Sequence, residues 1–458
     1  MTKKEVFEYI AGQADFICRA SDDVWDNPET AFEEFKSVDI LCDALEKAGF
    51  KVERNVAGIQ TAFTGTYGSG KPVIGFLGEF DALSGLSQKA GCTEKIPVRE
   101  GGNGHGCGHN LLGAGCLAAA MGMKKYLEET GKEGTVIFYG CPAEEGGSGK
   151  TFMAREGIFD DLDAALAWHP GTAYASAGVN FLANCEVYFR FKGISSHAGV
   201  EPEKGRSALD ALELMNMGVQ FLREHVPATV RMHYAITNTG GYSPNVVQAE
   251  AEALYVLRAP DNMILADVYD RVKKIAAGAA MMTDTELEVD FVKACSNRVP
   301  NDTLGIGIIE NLREIDLPEY TEEELKFYSE LSKTIPDGKP DAPIQTFIMD
   351  YMNTHQSIGG SSDVSDVSWI APTLIFEAPT WPVGCAAHSW QAVSCGKSGA
   401  AHKAMLAAGQ AMAGLAVDLI EDPELLKKAQ EEHIKNLKGN KYECPIPKGV
   451  KPRIISNK

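Results

Sequence analysis

The chain lacks long membrane-length runs. Its charge-free stretches Asn110 to Met123 and Ala404 to Val417 fall short of the roughly 20 apolar residues that span a bilayer, so no membrane partner is expected. It also lacks positive charge. Lys and Arg number 43 against 63 Asp and Glu, a formal net charge of -20, and that field repels nucleic acid and anionic lipid. An anionic substrate would therefore need local cationic groups. The eleven cysteines are odd in number and scattered, without the density of a secreted disulfide scaffold. The opening Met1-Thr-Lys-Lys-Glu-Val-Phe-Glu has no apolar core of a secretion signal. Reduced thiols in the cytoplasm are the expectation. No internal repeat is visible, and 44% hydrophobic with 23% charged residues excludes a disordered chain, a collagen-like repeat and a coiled coil.

What is present is a chain of 458 residues, long enough for two or three folded units. Helical periodicity runs over Val6 to Val24 and Ala31 to Ala48. Short apolar runs at Gln60 to Thr66, Val73 to Leu77, Val136 to Tyr139 and Ala164 to Trp168 alternate with helical patterns. That rhythm predicts an α/β domain with a mostly parallel central sheet covered by helices. From Cys185 the pattern becomes strand, helix, strand, strand, helix, strand, the order of a ferredoxin-like α+β unit. The expected organisation is a catalytic domain over 1–184 and 299–440, an inserted domain over 185–298, and an irregular surface tail over 441–458.

Chemistry concentrates in loops. Gly101 to Asn110 holds five glycines with His105, Cys107 and His109 just before a helical pattern. Thiolate and imidazole are strong ligands for zinc-like ions, and glycines let residues two apart face one ion. Glu144 and Glu145 follow a buried parallel strand, where open α/β sheets place ligands. Paired glutamates in a loop are usually solvated surface; this position argues for one as metal ligand and one as proton acceptor. Gly149-Lys150-Thr151 imitates the end of a phosphate-binding loop. The required first glycine falls on Glu144, and two carboxylates in the cradle would repel phosphate. His169 and His388 each follow a strand or glycine, and with Cys107, His109 and Glu145 they make five donors, enough for two ions. His225, His233, His355, His402 and His433 carry no motif.

These residues resemble a known family. Trp25-Asp-Asn-Pro-Glu with Glu33-Glu34, Gly78-Glu-Phe-Asp81-Ala-Leu, His105-Gly-Cys-Gly-His109, Pro142-Ala-Glu-Glu145-Gly, Trp168-His169-Pro, Ser196-His197-Ala-Gly and Asn245-Val-Val look like the M20 metallopeptidases and amidohydrolases, in the branch with a cysteine ligand. The resemblance implies a zinc-peptidase-like catalytic domain plus an inserted lid that also dimerises. It implies two divalent ions per chain, Zn or Mn, on Cys107, His109, Glu145, His169 and His388, with Glu144 as general base. His197 would stabilise the oxyanion in a neighbouring subunit's site, and Asn245 and Arg258 would engage a substrate carboxylate. Asp81 and His105 are candidates for orienting the ligands. Asn110 and Gln248 depart from the family's usual Asp and Pro. The implied substrate is a small amide with a free carboxylate, an N-acyl or aroyl amino acid such as p-aminobenzoyl-glutamate. The implied assembly is a homodimer, or a heteromer with a related chain. Two other readings stay open at this point, a dipeptidase acting on unusual dipeptides and a non-catalytic partner subunit.

Overall fold

A computed structural model describes residues 1–454. Its larger sheet has six strands in the spatial order Lys51–Arg54, Phe63–Ser69, Gly134–Cys141, Val73–Glu79, Ala164–Gly171, Thr373–Pro379. The last four run parallel, and the first two form an antiparallel edge. Every residue of Val73–Glu79 is buried. That follows from its composition, since a parallel strand covered on both faces reads as a continuous apolar run.

Two helices cover this sheet closely because glycines stand where they cross. A side chain at Gly115 of the helix His109–Thr130 would lie 2.5 Å from the Trp168 indole nitrogen. One at Gly409 of the helix Gly399–Glu421 would lie 2.7 Å from the Ala118 methyl and 2.9 Å from the Gly115 carbonyl. On length and composition Gly399–Glu421 could cross a bilayer, but most of it is buried inside the protein. It is a core helix.

The second sheet is antiparallel throughout, in the order Glu286–Cys295, Ala183–Lys192, Glu250–Ala259, Arg231–Asn238. Helices Ala208–Leu222 and Asn262–Thr283 provide its crossovers. Burial alternates along Ala183–Lys192, as a sheet with one covered face requires.

Local order differs from the sequence pattern in three places. The periodicity from Val6 to Val24 belongs to two helices, Lys3–Gly12 and Ala14–Trp25, broken at Gln13. The next helix starts at Phe35 rather than Ala31, because the buried Glu34 carboxylate accepts the N–H groups of Phe32 and Ala143, and Phe32 takes a left-handed conformation. The tail is irregular yet not merely surface. Ile446 is buried, and Arg453 pairs with Asp290 of the second sheet at 2.9 Å. An apolar side chain and a charge pair anchor it as far as residue 454; 455–458 lie outside the described residues.

Gly409→Val should overpack the helix crossing, where the Gly115 carbonyl leaves no room. We expect a loss of about 1–3 kcal/mol in urea unfolding. Unchanged stability would show that the two helices can separate without cost.

Candidate metal centre

The four parallel strands end on one side of the sheet, and each delivers a side chain there. Asp81 follows Val73–Glu79, Glu144 and Glu145 follow Gly134–Cys141, His169 lies within Ala164–Gly171, and His388 comes after Thr373–Pro379. Cys107 and His109 arrive from the glycine loop that opens the helix His109–Thr130. Two backbone features shape that loop. Gly108 sits at φ +72°, and a side chain there would meet Pro170 at 2.9 Å. The N–H of His388 donates to the Gly106 carbonyl at 2.8 Å, which ties two of the donor loops together.

The donors form two groups that share one atom. Cys107, His109 and His169 offer ligand atoms within 4.8 Å of one another, and so do Cys107, Glu145 and His388. Cys107 Sγ lies 3.4 Å from His169 Nε2, and His388 Nε2 lies 3.1 Å from Glu145 Oε1. Donors on one zinc ion, with bonds of about 2.0–2.3 Å at tetrahedral angles, stand roughly 3.4 Å apart. His109 Nδ1 donates to Asp81 Oδ1 at 2.8 Å, which leaves the Nε2 lone pair facing inward. That buried nitrogen has no hydrogen-bond partner among the described residues, and Glu145 Oε1 faces the His388 ring. His169 Nδ1 likewise spends its proton on the Pro170 carbonyl at 2.7 Å, so its Nε2 also faces Cys107 as a lone pair. Soft and borderline donors of this kind fit divalent cations, and Cys107 belongs to both groups that would hold them.

The peptidase family M20/M25/M40 matches residues 75–447. The chain belongs to this family. It is 48% identical over 455 residues to the B-type chain of the p-aminobenzoyl-glutamate hydrolase of Escherichia coli K12, covering 94% of this chain and 95% of that one. It is 28% identical to the Xaa-Arg dipeptidase of Mus musculus, with 94% and 92% covered. The solved aminobenzoyl-glutamate utilization protein of Klebsiella pneumoniae superposes with a TM-score of 0.59 at 18% identity, over 87% of this chain and 97% of that one. This M20 chain is a hydrolase acting on amide bonds.

Electrostatics separates the two adjacent glutamates. Burial, with the Glu79 and Glu145 carboxylates, pushes Glu144 well above the usual carboxylate range. Burial also acts on Glu145, but His388 and His109 beside it hold its carboxyl down at about 2. The two adjacent carboxyls are thus pushed apart, Glu145 toward the anion and Glu144 toward the protonated form. Burial and the Glu145 charge push the Cys107 thiol up. A bound cation reverses that shift, since a coordinated thiol is deprotonated outright.

Asp81 orients His109 and also accepts the Glu145 N–H at 2.9 Å. The Asn that follows His109 therefore costs the ring nothing. Asn110 turns away to bond Ser21 and the Gly396 carbonyl. His105 is buried against the Val24 carbonyl at 3.1 Å and bonds none of the five donors. His197, Asn245 and Arg258 are not in this cluster. Val246 bridges the His197 segment, the Ala198 N–H donates to the Asn245 carbonyl, and Arg258 lies 2.9 Å from Ser361 Oγ. Sequence reasoning missed Glu79, Lys150 and Asp363, which form a buried ionic group beside His109. The available signal was a glutamate ending a wholly apolar strand, since a charge there must find a partner.

Because Cys107 belongs to both donor groups, Cys107→Ala should reduce bound metal from two ions per chain to at most one. Elemental analysis of purified wild type and variant reads this directly. Equal metal content would remove Cys107 from the ligand set.

Proposed function

We propose that this M20 chain hydrolyses the amide bond of N-aroyl amino acids, with p-aminobenzoyl-glutamate cleaved to p-aminobenzoate and glutamate. One observation carries the chemistry: two donor groups sharing Cys107 stand beside Glu144, a carboxylate outside both. The 48% identity to the Escherichia coli hydrolase chain supports the substrate. Cys107, His109, Glu145, His169 and His388 hold two divalent ions, zinc or manganese, which when bound supply Lewis acidity toward the carbonyl and the attacking water.

The chain's own residues do the rest. Glu144 accepts the proton of the attacking water and returns it to the leaving nitrogen. His197 Nδ1 accepts the Gly199 N–H at 3.2 Å, so Nε2 carries the ring proton and can donate to the carbonyl oxygen as its charge develops. Asn245 and Arg258 take the substrate carboxylate, the local positive element that an acidic chain needs.

His197 is exposed and acts on the site of a second subunit. The strand Arg231–Asn238 at the edge of the four-stranded sheet supports assembly, because Tyr234 and Ile236 on it are exposed. A homodimer is the simplest form. A heteromer with an A-type chain is the alternative, suggested by relatives that are the two unlike subunits of one hydrolase. All eleven cysteines are free thiols, which fits a reducing, cytoplasmic setting. The second reading, a dipeptidase, draws on the 28% identity to an Xaa-Arg dipeptidase. Assay of the chain alone, loaded with Zn or Mn, on p-aminobenzoyl-glutamate and on dipeptides ending in basic residues decides between them. Turnover of the dipeptides alone would overturn the first reading, and no turnover of either would favour a non-catalytic subunit.

Glu144→Gln keeps the side-chain shape but cannot accept a proton. Its kcat should fall by at least about 100-fold while two ions remain bound. Loss of metal in this variant, with retention in Glu145→Gln, would exchange the two roles.

Mixing inactive Glu144→Gln chains with inactive His197→Ala chains should restore activity. Random pairing makes half the dimers mixed, and each mixed dimer owns one complete site, so recovery should approach about a quarter of the wild-type rate. Demonstrated subunit exchange with no recovery would place His197 in its own chain's site or outside catalysis.

A further inference from the structure

Beside the five donors the structure buries an ammonium. Lys150 is wholly excluded from solvent, and its Nζ lies 2.5 Å from Asp363 Oδ1 and 2.7 Å from Glu79 Oε1. The Lys150 N–H also donates to Asp363 Oδ2 at 2.8 Å, so the two residues grip each other twice. Buried ion pairs contribute little to stability, because desolvation of the charges offsets their attraction. Three such groups in one place therefore call for another reason. Asp363 alone balances the charge of Lys150. The charge on Glu79 is surplus to that pair, and it points elsewhere.

Its second oxygen, Oε2, lies 3.3 Å from His109 Nε2. With the ring proton given to Asp81, that nitrogen presents a lone pair, and it has no hydrogen-bond partner among the described residues. Two lone pairs facing each other at 3.3 Å repel unless a proton or a cation lies between them. The spacing suits two donors on one ion. Glu79, His109 and Glu144 each offer an atom within 4.8 Å of the others, a third donor group that includes a ligand already described.

We propose that Glu79 is a further carboxylate ligand of the ion held by His109, and that Lys150, braced by Asp363, is the positioning residue that aims it. The proposal deepens the binuclear reading and rests on it. Glu79 splits its two oxygens between a permanent cation of the protein and the metal. Lysine suits the first task, because a compact ammonium can stand between two carboxylates without claiming both oxygens of either.

Cobalt(II) titration of the metal-stripped full chain tests this without substrate. Wild type should bind two ions. Glu79→Gln preserves volume and leaves the Lys150–Asp363 pair intact. It should bind one of the two ions about 10–100-fold more weakly and change that ion's visible absorption, as a lost oxygen donor requires. Lys150→Met should shift the same band, since an unaimed carboxylate coordinates differently. If Glu79→Gln fails to fold, Glu79→Asp, which keeps the charge and the Lys150–Asp363 pair but withdraws the carboxylate by one methylene, should show the same spectral change. Two cobalt ions bound to a folded Glu79 variant with wild-type affinity and an unchanged spectrum would overturn the proposal and leave Glu79 as a counter-charge to Lys150. Fewer than two ions on wild type would overturn the binuclear reading itself, a separate result.

Discussion

A single carboxylate holds the site in register. Asp81 receives the His109 Nδ1 proton on one oxygen and the Glu145 N–H on the other, so it joins a helix start to the loop after a neighbouring strand. The first contact selects the ring tautomer, and the second fixes the backbone that carries Glu144 and Glu145. Asp81 shares the second task with Glu34, whose carboxylate accepts the Ala143 N–H. Burial and the nearby Asp81 charge push Glu34 up to about 8, the cost of using carboxylates as braces in a buried place.

The concentration of acid that results is the second constraint. Glu79, Asp81, Glu144, Glu145 and Asp363 surround a small volume, and the chain answers with the buried Lys150 ammonium and with His109 Nε2, which has no hydrogen-bond partner among the described residues. Divalent ions held there would complete the charge balance and would couple metal binding to local order. A cavity of about 960 Å³ lies between the second sheet and the tail and is lined by none of the five donors.

The four-stranded sheet brings a different kind of chemistry. Lys293 on its strand Glu286–Cys295 donates to the Glu145 carbonyl at 2.8 Å, which links the second sheet to the donor cluster. His197 and Asn245 stay close to each other through backbone pairing and remain exposed.

The strand and helix rhythm, the ferredoxin-like unit and the five donors were legible in the amino-acid order, because each rests on short-range signals: apolar periodicity, glycine next to His and Cys, and paired carboxylates after a buried strand. Helix starts that depend on distant partners were not legible. Phe32 is left-handed because Glu34 reaches Ala143, more than a hundred positions along the chain. The same holds for Lys150. In sequence it imitated the end of a phosphate loop, and its real partners, Glu79 and Asp363, come from a neighbouring strand and from a segment far downstream. Local pattern says which residue types a site needs and where the turns fall. Only the packed sheet decides which buried charges meet, because a charge out of water takes whatever partner the tertiary fold places within hydrogen-bond reach.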